Sequence, residues 1–205
     1  MWSPTIKLER WALKPGVFLL CLMPSIALLL GLIQSKLGFN PVEVLTHQTG
    51  LWALRFLLIT LLITPLRSLT GMIWLTRFRR MFGLFAFYYV ILHFSVYFLW
   101  DQSLNLRYIF EDIIDRPYIT VGFLALCLMI PLAITSFNRI RRRMGRKWNL
   151  LHRLTYLIAA LAVLHYIWLT RADYLEPGVY AAVFVGLMTL RLRGWLALIS
   201  LRTKK

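Results

Sequence analysis

Long apolar stretches recur six times along the chain, at 17–33, 51–66, 82–100, 118–136, 150–169 and about 179–199, separated by polar segments that carry most of the charge. Each is close to the roughly 20 residues an α-helix needs to cross the hydrocarbon core of a bilayer. The runs are apolar on every side. A membrane barrel would instead need alternating, two-faced strands of about ten residues, so helices are the way to satisfy the backbone in lipid. The pattern predicts an all-α integral membrane protein built as a six-helix transmembrane bundle. Two runs are less clean, because the second contains Arg55 and the sixth contains Arg191 and Arg193, which must snorkel or face a polar cavity. Five spans with one interfacial helix is the alternative reading.

Composition agrees: 60% of the 205 residues are hydrophobic and only 16% are charged, which excludes an ordinary water-soluble domain. The 24 Lys and Arg against 8 Asp and Glu would suggest nucleic acid as a partner if they formed one patch. They lie between the apolar runs instead, which makes them topology signals. Assigning alternate connections to alternate sides gives one side 19 of the 24 basic residues and the other side seven of the eight acids. Basic residues are retained in the cytoplasm, so both termini are expected there, in a multi-pass protein of the bacterial inner membrane. The expected layout is a cytoplasmic tail over 1–16, a transmembrane domain over 17–199 and a basic cytoplasmic tail over 200–205. The first run resembles a signal peptide but continues for nearly a full span without a small-x-small cleavage pattern, so it is read as an uncleaved helix.

Six spans leave about 85 residues for loops and tails, too few for a nucleotide-binding domain, and neither GxGxxG nor GxxxxGK[ST] occurs. Any redox input must therefore come from a separate protein or a lipid-soluble carrier. No internal repeat is visible in the sequence. The basic cluster at 139–147 reads as an anionic-lipid anchor or as a docking site for an acidic partner. Cys21 and Cys127 lie in apolar runs and suggest neither a disulfide framework nor a zinc site.

The histidines carry the chemistry. Of His47, His93, His152 and His165, three lie in or at the edge of spans, where an ionisable residue is a functional candidate by default. Neutral imidazole is the usual axial ligand of b-type haem, and a helix bundle supplies it from facing helices. At 1.5 Å per residue, His93 is about 18 Å and His165 about 25 Å from the cytoplasmic ends of the third and fifth spans, so the two can share the outer half of the membrane. They are the candidate haem pair, the alternative being two polar residues hydrogen-bonded between helices. His152 lies about 20 Å from His165 along the fifth span, and on an ideal helix the two point well over a right angle apart. A haem, a flavin, a quinone headgroup or interfacial anchoring each suits it. Tyr89 and Tyr97 flank His93 on its own face, and Ala159, Ala160 and Ala162 leave space on the fifth span, either for a macrocycle or simply for helix packing. His47 stands before the second span, in reach of an outer cofactor or merely solvated. Arg55, one turn inside that span, is costly to bury unpaired; a haem propionate would satisfy it, and so would lipid phosphate.

These features resemble the ferric-reductase-like transmembrane family, six-helix b-type cytochromes with haem-ligating histidines on the third and fifth helices. The resemblance narrows with His47-Gln48-Thr49-Gly50 before Trp52-Ala53-Leu54-Arg55, then Thr64-Pro65-Leu66-Arg67, Arg79-Arg80-Met81-Phe82-Gly83-Leu84 with His93, and Trp148-Asn149 with Leu151-His152-Arg153-Leu154 and Tyr156. This ordered set is similar to the haem-binding membrane subunits of bacterial protein-methionine-sulfoxide reductase systems, over about residues 15–195. The resemblance implies haem b and FMN as cofactors, and electrons drawn from the quinone pool or a cytosolic flavin reductase. It also implies delivery to a periplasmic molybdopterin methionine-sulfoxide reductase of the MsrP type, which repairs oxidised envelope proteins. The acidic segment at 101–116 would be the docking surface. One departure stands out: four-histidine members of the wider family carry a second histidine about 13 or 14 residues before the first on helix three, where this chain has Arg79 and Arg80. A stand-alone ferric or quinone reductase, and a cofactor-free transporter or assembly factor, are the competing functions.

Overall fold

A computed structural model describes residues 9–202, and the side chains of 11–192. Lys7, residues 203–205 of the expected C-terminal tail and the side chain of Arg193 lie outside the described residues. Six helices are long and apolar enough to cross a membrane: Trp11–Ile33, Pro41–Thr70, Arg79–Asp101, Pro117–Ile134, Arg146–Leu169 and Leu175–Leu192. The sixth belongs to a continuous helix of 28 residues, about 42 Å long, so all six runs form helices of spanning length.

In chain order the helices are α1 (Lys14–Ile33), α2 (Pro41–Thr70), α3 (Arg79–Val96), the short α4 (Leu106–Asp115), α5 (Pro117–Ile134), two short helices α6 (Asn138–Met144) and α7 (Arg146–Leu151), then α8 (Leu154–Leu169) and α9 (Leu175–Arg202). A widened π-helical turn, Tyr97–Asp101, extends α3. Local chemistry sets the boundaries of α2. Asn40 caps it by accepting from the Glu43 amide at 3.2 Å while its own amide donates to the Glu43 carboxylate at 3.0 Å, Pro41 occupies the first turn, and Gly71 ends it at φ 70°.

Helix α2 is the hub. Its Leu51, Leu54, Phe56, Leu57, Leu58 and Leu61 are buried, and they spread over more than half of the helix circumference, as expected of a span largely enclosed by protein. It packs chiefly against α3, and α5 packs chiefly against α8. The two helix pairs face each other, with α1 leaning on α2 and α3, and α9 on α8 and α2. The outer spans leave Leu19, Leu20 and Leu29 of α1 and Val183 and Val185 of α9 exposed, which suits contact with lipid.

One contact shows how α1 is docked. Pro24 interrupts α1, and a proline inside a helix disturbs the ladder around it. The Tyr89 hydroxyl enters there, accepting from the Ser25 amide at 3.0 Å and donating to the Cys21 carbonyl at 2.9 Å. It restores partners that the helix has given up, in a setting without water to do so. Tyr89 is fully buried in this role.

Candidate functional site

Between the two helix pairs lies a cavity of about 850 Å³. His93 from α3 and His165 from α8 face each other across it, with ring centroids 6.2 Å apart and planes at 82°. The Nδ1 of His93 is 2.8 Å from the Thr46 carbonyl of α2, and that of His165 is 2.6 Å from the Tyr118 carbonyl of α5. A carbonyl only accepts, so each Nδ1 carries the proton and donates. Each Nε2 is left with its lone pair, the arrangement that orients a histidine as a metal ligand.

The rings approach their partner helices so closely because each meets a glycine. A Cβ added at Gly50 would stand 3.1 Å from the His93 Nδ1, and one at Gly122 would stand 2.8 Å from the His165 Nδ1 and Cε1. The geometry fits an iron held between two imidazoles, since two in-line bonds of about 2 Å plus the ring radii place the ring centres about 6 Å apart. Among the described residues no group of three metal-ligating side chains exists, so a bare ion would be under-coordinated here. An iron that brings four nitrogens of its own in a macrocycle would not.

The two halves of this site repeat. Thr46, Gly50 and His93 recur as Tyr118, Gly122 and His165, each exactly matched pair being 72 positions apart. The same offset relates other residues lining the cavity: Ala53 to Ala125, Leu54 to Leu126, Leu57 to Met129 and Val90 to Ala162. The α2/α3 pair and the α5/α8 pair are two versions of one hairpin, so the sequence reading that saw no repeat is corrected. Side-chain identity has drifted at most of these positions, and what persists is the spacing of glycine, carbonyl and histidine.

At the rim, His47 lines the cavity, with its ring 6.0 Å from that of Tyr166. Arg55 is not among the lining residues. Its Nε donates to the Tyr180 hydroxyl at 2.7 Å, Glu176 lies 3.9 Å away, and the guanidinium rests on the Trp52 ring at 4.8 Å. Glu176 also accepts from the Tyr166 hydroxyl at 2.9 Å, so Arg55 touches the cavity through Tyr166. Arg116 does line the cavity. Its bond to the Tyr118 hydroxyl and the Asp112 carboxylate at 3.1 Å raise its pKa above the ordinary arginine value. Of the residues considered for macrocycle packing, Tyr97 and Ala162 line the cavity, whereas Tyr89, Ala159 and Ala160 do not.

A second, smaller cavity of about 370 Å³ opens toward the basic end of the bundle and contains His152. The fifth span breaks between α7 and α8, so the angle of an ideal helix does not carry from His152 to His165. The His152 Nε2 is 3.1 Å from the Thr135 hydroxyl, and its ring stacks on Trp148 at 3.9 Å. The structure thus joins His93 with His165 and separates His152 from both. Leu57, Met129 and Ile158 line both cavities and form the partition between them.

The ferric reductase like transmembrane component family matches residues 49–163. A haem-binding subunit MsrQ of protein-methionine-sulfoxide reductase from Xanthomonas oryzae is 52% identical over 171 residues, covering 83% of this chain and 78% of its own. The chain belongs to the MsrQ family. Other members similar to it come from Ralstonia nicotianae, 47% identical over 183 residues with 88% of this chain and 84% of that one covered, and from Brucella ovis, 47% identical over 170 residues with 83% and 75% covered. Membership in MsrQ, within the ferric-reductase-like proteins, gives the chain a membrane electron-transfer role.

For this MsrQ-family chain, sequence reasoning found the two facing histidines but missed Gly50, Gly122, the two carbonyls and Arg116. The glycines were findable, because Gly50 to Gly122 has the same spacing as His93 to His165. The carbonyls had no side-chain signal at all.

Proposed function

We propose that His93 and His165 hold haem b as axial ligands and that the chain passes electrons through it across the bacterial inner membrane. The observation that carries this reading is the pair of imidazoles 6.2 Å apart, each oriented by a backbone carbonyl. Bound there, haem iron supplies a one-electron carrier buried in the membrane. The protein's own part is to fix both rings: the carbonyl bonds hold the tautomer, the glycines hold the distance, and the apolar cavity excludes water. At the outer rim Arg116, with Arg55 behind Tyr166, provides the positive charge that haem propionates need, and His47 offers a further polar contact.

The basic end is cytoplasmic by the distribution of Lys and Arg, which places both termini there and the haem site near the periplasm. Reducing equivalents come from the quinone pool or a cytosolic flavin reductase, with FMN as the further cofactor and His152 as its contact or that of another inner group. They leave to a periplasmic molybdopterin methionine-sulfoxide reductase that repairs oxidised proteins, docked on the acidic segment 101–116. The relatives' name supports the methionine-sulfoxide partner.

The test is a dithionite-reduced minus oxidised visible spectrum of the detergent-purified protein, with extracted haem and flavin quantified. Sharp b-type bands that vanish in His93→Ala and His165→Ala are the expected result. A folded, cofactor-supplied protein that stays colourless would overturn it and favour a transporter or assembly factor.

A further inference from the structure

Helix α4 joins the acid-rich ends of the third and fourth spans, and its circumference divides into three sectors. Leu106, Phe110 and Ile114, at steps of four, share one side and are 69%, 67% and 64% exposed. Arg107, Glu111 and Asp115 share the next, with the Arg107 Nε donating to the Glu111 carboxylate at 2.8 Å. Ile109, Asp112 and Ile113 form the third, where Ile109 is only 7% exposed and Ile113 lines the outer cavity. At 3.6 residues per turn the sector centres stand at about 40°, 140° and 290° around the axis. Each sector is therefore well separated from the other two.

The third sector is where the bundle holds the helix. Asp112 accepts from the Tyr97 hydroxyl at 3.2 Å and from the Gln102 side-chain amide at 2.7 Å, and it pairs with Arg116 at 3.1 Å. The Thr120 hydroxyl, in the first turn of α5, donates to the Ile113 carbonyl. The two ends are tethered as closely. Asn105 caps the first turn by accepting from the Arg107 and Tyr108 amides at 3.1 and 3.3 Å. Arg116 alone separates Asp115 from Pro117, where α5 begins; it is extended, because a residue before proline is driven out of the helical region. Together these contacts fix α4 at the level where the two spans end.

Trp100 and Trp168, each about half exposed at the same end of the third and fifth spans, mark that level as the membrane interface, where tryptophan is enriched. A helix held there against the bundle meets protein on one side, water on another and the boundary of headgroups and acyl chains on the third. The three sectors supply one face for each. We propose that α4 is an interfacial anchor lying in the membrane surface, with Leu106, Phe110 and Ile114 seated about 5–10 Å into the headgroup and acyl boundary. Lipid covers the apolar face, and only the sector of Arg107, Glu111 and Asp115 is left for anything that docks from water. Because Ile113 and Arg116 line the outer cavity, the anchor also sets the height of that cavity's rim. It requires neither a bound haem nor a partner protein.

The experiment places a nitroxide spin label at single cysteines of the full-length protein in phosphatidylcholine and phosphatidylglycerol vesicles, after Cys21→Ala and Cys127→Ala remove the native thiols. Phe110→Cys, Ile114→Cys, Glu111→Cys and Asp115→Cys are compared for relaxation by oxygen, which concentrates in lipid, and by a nickel chelate, which stays in water. Oxygen access should exceed nickel access several-fold for labels replacing Phe110 and Ile114, with the reverse for labels replacing Glu111 and Asp115. All four positions are exposed, so the labels displace little packing, and an unchanged melting temperature checks that each protein has folded. Leu106→Cys provides a third reporter on the apolar face. Nickel access at 110 and 114 equal to that at 111 would overturn the proposal, because the face would then lie in water. Protection of both labels from both reagents would overturn it too, since a second copy of the chain or another protein would then cover the face.

Discussion

The outer and inner cavities lie between the same two helix pairs and share a wall of Leu57, Met129 and Ile158, yet they are built for different chemistry. The outer one has matched histidines, each with its carbonyl and glycine. The inner one has His152 alone, its Nε2 satisfied by Thr135, among arginines. The difference teaches that a repeated frame fixes where side chains meet but leaves open what they bind. One position on α3, occupied by Arg80, separates a completed imidazole pair from a cationic pocket.

The comparison is broken most completely by removing the pair. His93→Ala or His165→Ala should reduce bound haem to background while membrane insertion is kept, and normal haem in both would remove these residues as ligands. Next comes the cradle: in Gly122→Ala the new Cβ would stand 2.8 Å from the ring of His165, closer than real contacts allow, so the ring must move. Haem content should fall by more than half in Gly122→Ala, and by less in Gly50→Ala, where the closest approach is 3.1 Å. The reverse order would show that the glycines do not set the ring positions.

Tyr89→Phe leaves the Ser25 amide and the Cys21 carbonyl without the hydroxyl that serves both. A destabilisation of about 1–3 kcal/mol is expected, read as a lower melting temperature, with the haem spectrum retained because Tyr89 does not line the cavity. Arg55→Leu should bring a modest shift in haem potential or retention, through Glu176 and Tyr166; no change in either would detach Arg55 from the site. His152→Ala sharpens the comparison from the other side. It should leave the spectrum of the outer haem unaltered, and a loss of that spectrum would mean that the two cavities are not separate.

Much of the fold was legible because lipid imposes a simple code. Six runs of sufficient length stand in the sequence, and all six are helices. His93 and His165 were legible for the same reason: polar groups in apolar spans need a purpose, and depth along a helix follows from its rise. The angular conflict between His152 and His165 was visible too. The break after Leu151 was not, because it depends on how α7 packs, with the Trp148 indole donating to the Thr135 carbonyl at 2.9 Å. Arg55 was recognised as needing a partner, but Tyr180 and Glu176 are more than 120 residues away in sequence, and only folding makes them neighbours.

The sequence by itself determined the spans, the asymmetry of charge between the two ends and which histidines lie within the apolar spans, because hydrophobicity and charge act locally and are written residue by residue. Tertiary structure alone decided which carbonyls orient the histidines, that two glycines let the rings approach, and that Tyr89 closes the gap at Pro24. These depend on backbone groups that every residue carries alike and on distances between separate helices. Neither leaves a mark on a chain until its helices have packed.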